Sequence, residues 1–142
     1  TETDRNALVQ GLNDEIIDVI VSDHKPEDEE NKRLTFAQAE TGASGIETLL
    51  PLSLELYHNG SVDLETIIKA LTSKPAEILK INKGNLSTGN DADFCIVDIN
   101  KPWVVRKEKL ISKSKNTPIE DKKLQGKVIS TFVNGEELFK SE

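Results

Sequence analysis

The sequence is poor in several kinds of residue, and each scarcity excludes a class of protein. Its single cysteine, Cys95, rules out an intrachain disulfide and fits a reducing compartment, which predicts a cytoplasmic protein. Cys95 lies in the apolar run of residues 94–97 (FCIV), which favours a small buried side chain over a nucleophile. Methionine is absent, so Thr1 is not an initiator residue, and we expect the sequence to be part of a longer chain.

Long apolar runs and an excess of positive charge are also missing. No stretch approaches the roughly 20 apolar residues that span a membrane, and no signal peptide opens the sequence, so no membrane association is expected. The formal net charge is −7, whereas nucleic-acid binding depends on a basic surface, so no nucleic-acid partner is expected. The content of 36% hydrophobic and 30% charged residues is typical of a soluble globular domain with a buried core.

Hydrophobic periodicity divides the sequence into two halves. Residues 16–21 (IIDVIV) form an apolar, β-branched run, typical of a strand buried on both faces of a parallel sheet. Apolar residues at helical spacing predict helices around this run, and beyond residue 83 the pattern changes to short β-type runs. We therefore place a boundary at residues 81–84, between an α/β half (residues 1–82) and a small β domain (residues 83–142). The predicted helices cover residues 4–13, 46–58, 63–73 and 75–79, and the β runs cover residues 94–98, 103–105 and 127–133.

The aspartate that follows the apolar run has the most chemical content. A carboxylate at the C-terminal end of a barrel strand can ligate a divalent metal and accept a proton from water, so Asp23 is a candidate for both roles. Asp-His pairs are also common in turns and caps, and the local pattern leaves both interpretations open. A catalytic zinc site needs about three protein ligands, and besides carboxylates the sequence offers only His24, His58 and Cys95. His58 precedes an Asn-Gly stop signal and is predicted to be a surface cap.

Several segments together resemble one family, the dihydroorotases among the cyclic amidohydrolases. Residues 21–26 (VSDHKP) are similar to the family's strand-end motif, S/T-D-H-A-P-H. Residues 42–48 (GASGIET) are similar to its G-x-x-G-L/I-E-T segment. In their order the segments cover residues 16–138, and the sequence is identified as similar to the C-terminal portion of a dihydroorotase. Weaker similarities lie in residues 32–36 (KRLTF), 73–76 (SKPA), 84–93 (GNLSTGNDAD), 114–118 (SKNTP) and 126–131 (GKVIST).

The resemblance implies a fold, an activity and a set of site residues. The fold would be α/β, the C-terminal end of a metal-dependent (β/α)8 barrel followed by a small β-sandwich-like domain. The activity would be the reversible closure of N-carbamoyl-aspartate to dihydroorotate in pyrimidine biosynthesis, with one or two zinc ions. Asp23 matches the family's metal-binding aspartate and catalytic general base, and His24 would support its loop. Thr41 and Gly42 match a loop whose backbone contacts the substrate ring, where glycine permits close approach.

Two departures from the family pattern bear on function. The family places a histidine four residues past the aspartate to hold the substrate carboxylate, and here that position is Glu27. A carboxylate would repel a carboxylate, so either Glu27 points away or this contact is lost, and Lys25 could serve instead as the cation. The other metal ligands of the family lie upstream of such a segment. We therefore expect this piece alone to hold no zinc and to be inactive, and to need the N-terminal part of the barrel as its partner.

Other functions remain open on this evidence. The presence of Glu27 in place of the family histidine also suits a non-catalytic dihydroorotase-like subunit that serves as a structural partner of aspartate transcarbamoylase. A homodimer is a further expected assembly. A third interpretation keeps the enzyme but changes the substrate to a hydantoin or allantoin. Residues 47–48 (ET) and 114–118 favour the dihydroorotase interpretation.

Overall fold

The computed structural model describes residues 1–141, and within them helices precede a small antiparallel sheet. None of the helices in this range is both long and apolar enough to cross a membrane. The helices are α1 (Glu2–Asn13), α2 (Glu29–Lys32), α3 (Leu49–His58), α4 (Leu64–Leu71) and α5 (Ser73–Leu79), with a 3-10 turn at Lys107–Lys109. The strands are β1 (Phe94–Val104), β2 (Lys123–Val133) and β3 (Glu136–Lys140).

Helix α1 begins with a reciprocal cap between two side chains. The Thr1 hydroxyl accepts from the backbone N–H of Asp4 at 3.3 Å, and the Asp4 carboxylate accepts from the Thr1 amino group at 2.7 Å. Such a capping box satisfies backbone donors that the first helical turn leaves unpaired. Leu12 is the buried apolar residue of this helix. The helix predicted over residues 4–13 is therefore present, and it begins two residues earlier.

The predicted strand at residues 16–21 is wrong for this structure. The segment has no regular secondary structure, and Ile16 and Val21 are 75% and 72% exposed. Its one long-range backbone hydrogen bond runs from the Ile20 N–H to the Ala70 carbonyl, at 3.1 Å. A strand needs a neighbour to complete its ladder, and among residues 1–141 no other strand lies beside this segment.

Helices α3 to α5 form the helical layer that the apolar spacing predicts. Leu54 in α3 and Ile67 in α4 are both 0% exposed and belong to the core. Pro51 occupies the third position of α3, where the missing N–H would have had no partner within the helix. Helix α5 begins at Ser73, so Pro75 also lies in a first turn, as expected of a helical proline.

The three strands pair in the order β1-β2-β3, all antiparallel. The two β runs predicted at residues 94–98 and 103–105 belong to one strand, interrupted by a register shift between Asp98 and Pro102. Asn134 and Gly135 have φ angles of 51° and 80° and join β2 to β3, as an Asn-Gly hairpin turn requires. Strand β3 was not predicted, because it is exposed along its whole length and shows no apolar alternation.

Cys95 is exposed, which corrects the prediction of a buried side chain. An apolar run is buried only where another layer covers its sheet. The helix that packs on this sheet is α3, and it lies mainly against β2; its hydrogen bond to β1 is at Ile99 and leaves Cys95 uncovered.

Residues on the two sides of the predicted boundary share one core. The Cδ1 atom of Leu54 lies against Gly126, whose φ of 103° and missing Cβ leave the space that the leucine fills. The Nε2 atom of His58 lies 3.0 Å from the carbonyl of Ile99, so this side chain bridges α3 to β1 and is not the free surface cap that the sequence suggested. The division at residues 81–84 stays a prediction.

Candidate functional site

A cleft of about 750 Å³ opens beside the predicted site residues. Its walls come from the end of α1 and the segment that follows it, the loop before α3, α3 itself, and residues 117–119. The residues around it are mainly apolar, with Asp23 as the ionisable side chain among them. The lining residues used below are Asp23, Gly42, Ala43, Ser44 and Gly45.

Asp23 lies at the rim of this cleft in an unusual backbone conformation. Its φ is 43°, in the left-handed region that aspartate tolerates better than most residues. Its side chain is exposed and makes no hydrogen bond or ion pair to residues 1–141, although its charge acts on Lys25. An exposed carboxylate without a structural partner can accept a proton or bind a cation.

His24 joins the two loops of the site. Its Nδ1 atom accepts the backbone N–H of Gly45 at 3.1 Å and that of Ile46 at 3.3 Å. An accepting Nδ1 requires a neutral ring whose proton is on Nε2. His24 therefore ties the segment carrying Asp23 to the loop that precedes α3.

The backbone of Thr41 and Gly42 is held through its carbonyl groups. Lys25 Nζ donates to the Thr41 carbonyl at 3.0 Å. The Gly42 carbonyl accepts from Lys32 Nζ at 3.1 Å and from Asn116 Nδ2 at 3.0 Å. Gly42 has a φ of 130°, and a Cβ there would collide with the Lys25 carbonyl, so glycine is required.

The carboxylate of Glu27 is paired with a lysine. Its side chain is 16% exposed, and its carboxylate lies 3.1 Å from Lys25 Nζ. Hydrogen bonding to Glu27 raises the pKa of Lys25 above its ordinary value, and the charges of Glu40 and Asp23 add to the effect. Lys25 is thus shared among several carboxylates and the Thr41 carbonyl, which leaves it a weak cation for any further anion.

Three side chains of the site were not recognised from the sequence. The Glu47 carboxylate accepts the backbone N–H groups of residues 111 and 112, at 2.9 to 3.0 Å. Ser44, 6% exposed, donates from its hydroxyl to the Ser114 carbonyl at 2.8 Å. Asn116 holds Gly42, as described above. The motif similarities at residues 42–48 and 114–118 were the available signal, but they gave no indication that the two segments touch.

The described residues do not form a complete metal centre. No group of three or more His, Cys, Asp or Glu side chains within residues 1–141 could hold a metal ion. Asp23 is suited by its exposure and position to be one ligand, and His24 is occupied by the backbone of the next loop through Nδ1. A catalytic zinc site has about three protein ligands, so residues 1–141 supply only part of such a site.

Comparison with known proteins gives a consistent result. The profile of the amidohydrolase family matches residues 1–138. The dihydroorotase of Ehrlichia chaffeensis is 44% identical over 142 residues, covering all of this chain and 32% of that protein. The dihydroorotase of Wolbachia sp. subsp. Brugia malayi is 43% identical over 98% of this chain and 31% of its own length. The chain thus spans about a third of the curated relatives that it matches.

Solved structures agree on the fold. The L-hydantoinase (dihydropyrimidinase) of Arthrobacter aurescens superposes with a TM-score of 0.88 at 30% identity, over 94% of this chain and 31% of that one. The dihydropyrimidinase of Brevibacillus agri superposes with a TM-score of 0.89 at 23% identity, over 95% and 31%, and supports the fold alone. These matches confirm the expected fold class. The chain belongs to the amidohydrolase family and corresponds to the C-terminal portion of its relatives.

Proposed function

We propose that this chain is the C-terminal portion of a dihydroorotase, which interconverts N-carbamoyl-aspartate and dihydroorotate in pyrimidine biosynthesis. The observation that carries the proposal is the exposed carboxylate of Asp23, which shares one cleft with the backbone of Gly42. The identity of 44% to a dihydroorotase over the whole chain supports this substrate class.

Asp23 is the proposed general base. In the hydrolytic direction it accepts a proton from the water that attacks the ring carbonyl, and it returns the proton to the ring nitrogen as the carbon–nitrogen bond breaks. In the closing direction the same groups act in reverse, and water leaves. A divalent metal, proposed to be zinc with Asp23 as one ligand, would supply electrostatic activation. The N–H side of the Thr41–Gly42 backbone is the proposed contact for the substrate ring.

Glu27 occupies the position at which the family places a histidine. Because its carboxylate would repel the carboxylate of the substrate, we propose that Glu27 makes no direct substrate contact and instead holds Lys25. The substrate carboxylate would then be bound by groups outside residues 1–142. We also propose a cytoplasmic enzyme whose protein partners are the rest of its barrel and either a second copy or aspartate transcarbamoylase.

The decisive experiment assays the intact protein that contains this segment, with dihydroorotate and added zinc. We expect turnover by the wild type and a loss of about 10²- to 10⁴-fold in kcat for Asp23→Asn, which removes the base without changing size. Asp28→Asn is the matched control, because the Asp28 carboxylate bonds to no residue within 1–141. Residues 1–142 alone should show no turnover. Full activity of Asp23→Asn would contradict the assignment of the base.

A hydantoinase activity is the second candidate, since the superposed structures are hydantoinases and dihydropyrimidinases. The same protein should be assayed with hydantoin and dihydrouracil. A higher kcat/KM for either compound than for dihydroorotate would favour this candidate. A wild type that turns over none of these substrates, yet increases the activity of aspartate transcarbamoylase, would instead favour the non-catalytic subunit.

A further inference from the structure

A segment of the β half lies across both loops that form the cleft. We call this segment, residues 112–116, the strap. The Ser114 hydroxyl donates to the Glu27 carbonyl at 2.6 Å, four residues beyond Asp23. The Asn116 side chain donates to the Gly42 carbonyl at 3.0 Å. The strap therefore contacts the loop that carries the proposed base and the loop that carries the proposed substrate contact.

The strap is itself firmly anchored. The Glu47 carboxylate accepts from the backbone N–H of Ser112 at 3.0 Å and from that of Ile111 at 2.9 and 3.0 Å. The buried Ser44 donates its backbone N–H to the Asn116 carbonyl at 2.8 Å and its hydroxyl to the Ser114 carbonyl. Hydrogen bonds to a carboxylate are stronger than those between neutral groups. Asn116 is thus held by its main chain while its side chain holds Gly42.

These hydrogen bonds determine where two backbone donors point. A trans peptide directs its carbonyl and its N–H to opposite sides. The Thr41 and Gly42 carbonyls are bound on the side of the lysines and the strap, so the N–H groups of Gly42 and Ala43 point the other way. Neither N–H bonds to a residue within 1–141, and both residues line the cleft. The direction of these two donors depends on what binds the carbonyls behind them.

We propose that Asn116 is a positioning residue for substrate binding: by holding the Gly42 carbonyl, it aims the Ala43 N–H at the substrate. This inference rests on the proposed function, because it assigns a role within the same site. Lys32 also binds the Gly42 carbonyl, but its ammonium group is shared with the Glu40 carbonyl and sits on a long flexible side chain. Asn116 is the shorter and better-anchored donor.

The experiment compares Asn116→Ala and Asn116→Asp in the intact protein. Alanine removes the side chain, whereas aspartate keeps its shape but replaces the donating NH2 group by an oxygen and adds a negative charge. We expect Asn116→Ala to raise KM for dihydroorotate roughly fivefold, the effect of one lost hydrogen bond. Asn116→Asp should raise KM at least as much, because its charged oxygen also repels the Gly42 carbonyl oxygen. Both variants should leave kcat within about twofold, since Asp23 is untouched. Asn100→Ala is the matched control, because the exposed Asn100 carboxamide bonds to no residue within 1–141.

The outcomes separate this inference from the proposed function. A wild type without dihydroorotate turnover overturns both. An active wild type with unchanged KM in Asn116→Asp, or with KM raised in Asn116→Ala alone, overturns the positioning role, since packing rather than donation would then matter. A fall in kcat at constant KM, with a lower Tm, also overturns it, because that pattern reports fewer folded molecules. If Asn116→Ala does not fold, Asn116→Asp alone decides.

Discussion

The Nδ1 atom of His24 accepts a hydrogen bond of 3.1 Å from the backbone N–H of Gly45, which joins the two loops of the candidate site. Behind it, Gly45 lies so close to Ser22 that a Cβ would be 2.9 Å from the Ser22 carbonyl. The segment carrying Asp23 and the loop before α3 therefore form one unit. This unit places the carboxylate of Asp23 and the backbone of Gly42 on the same cleft.

Replacing His24 tests the importance of this unit. His24→Ala leaves two backbone N–H groups without their acceptor, so we expect a loss of about 1–2 kcal/mol in the free energy of unfolding of the intact protein. His24→Asn is the control, because its Oδ1 can accept in place of Nδ1 and should recover most of the loss. Urea unfolding measures both. Equal stability of His24→Ala and the wild type would show that the hydrogen bonds contribute nothing.

Replacing Gly126 tests the packing of α3 on the sheet. A Cβ at Gly126 would collide with the Cδ1 atom of Leu54, and the new residue would also have to adopt a φ of 103°. Gly89 has a similar φ of 94° but open space around it, so Gly89→Ala carries the backbone strain without the collision. We expect Gly126→Ala to lose about 1–3 kcal/mol more unfolding free energy than Gly89→Ala. Equal losses in thermal or urea unfolding would contradict this contact.

Replacing Glu47 tests the anchor of the strap. Glu47→Ala removes the acceptor for the N–H groups of Ile111 and Ser112, so residues 107–118 should open more often. The native intact protein is treated with trypsin, and mass spectrometry follows the cleavage. We expect faster cleavage after the lysines of this segment in Glu47→Ala than in the wild type. Glu55→Ala, which removes an exposed ion pair with Lys122, is the control and should cleave at the wild-type rate. Unchanged cleavage in Glu47→Ala would show that other contacts hold the strap.

Asp93 predicts a dependence of stability on pH. The backbone N–H of Asn134 and the ammonium group of Lys83 hydrogen-bond to its carboxylate and lower its pKa below the ordinary value of 3.8. Because the pKa of Asp93 is lower in the folded state, its ionised carboxylate contributes fully to stability at pH values above the ordinary pKa. This contribution is lost as the pH falls through the lower pKa of the folded state. Tm should therefore fall in strong acid, and less steeply in Asp93→Asn. Asp28→Asn, the control, should follow the wild-type curve, and parallel curves for all three proteins would contradict the role of Asp93.

Local patterns were sufficient where the local chain itself supplies the interactions. The helices at residues 4–13 and 63–73 followed from apolar spacing, because helical hydrogen bonds lie within one segment. The turn at Asn134 and Gly135 followed from two residues that accept positive φ. The prediction at residues 16–21 failed because a strand depends on a neighbouring strand, and residues 1–141 do not supply one beside this segment.

By itself, the sequence determined the family, the order of helices and β runs, and Asp23 as the candidate base, since these depend on residue types and short spacings. Only the tertiary structure decided how the site is held. Ser114 reaches Glu27 across 87 positions, and Asn116 reaches Gly42 across 74. Contacts at such separation leave no periodic trace in the chain, because they arise when folding brings distant loops together. The pairing of Glu27 with Lys25 also emerged only there, since side-chain direction depends on the backbone of both loops.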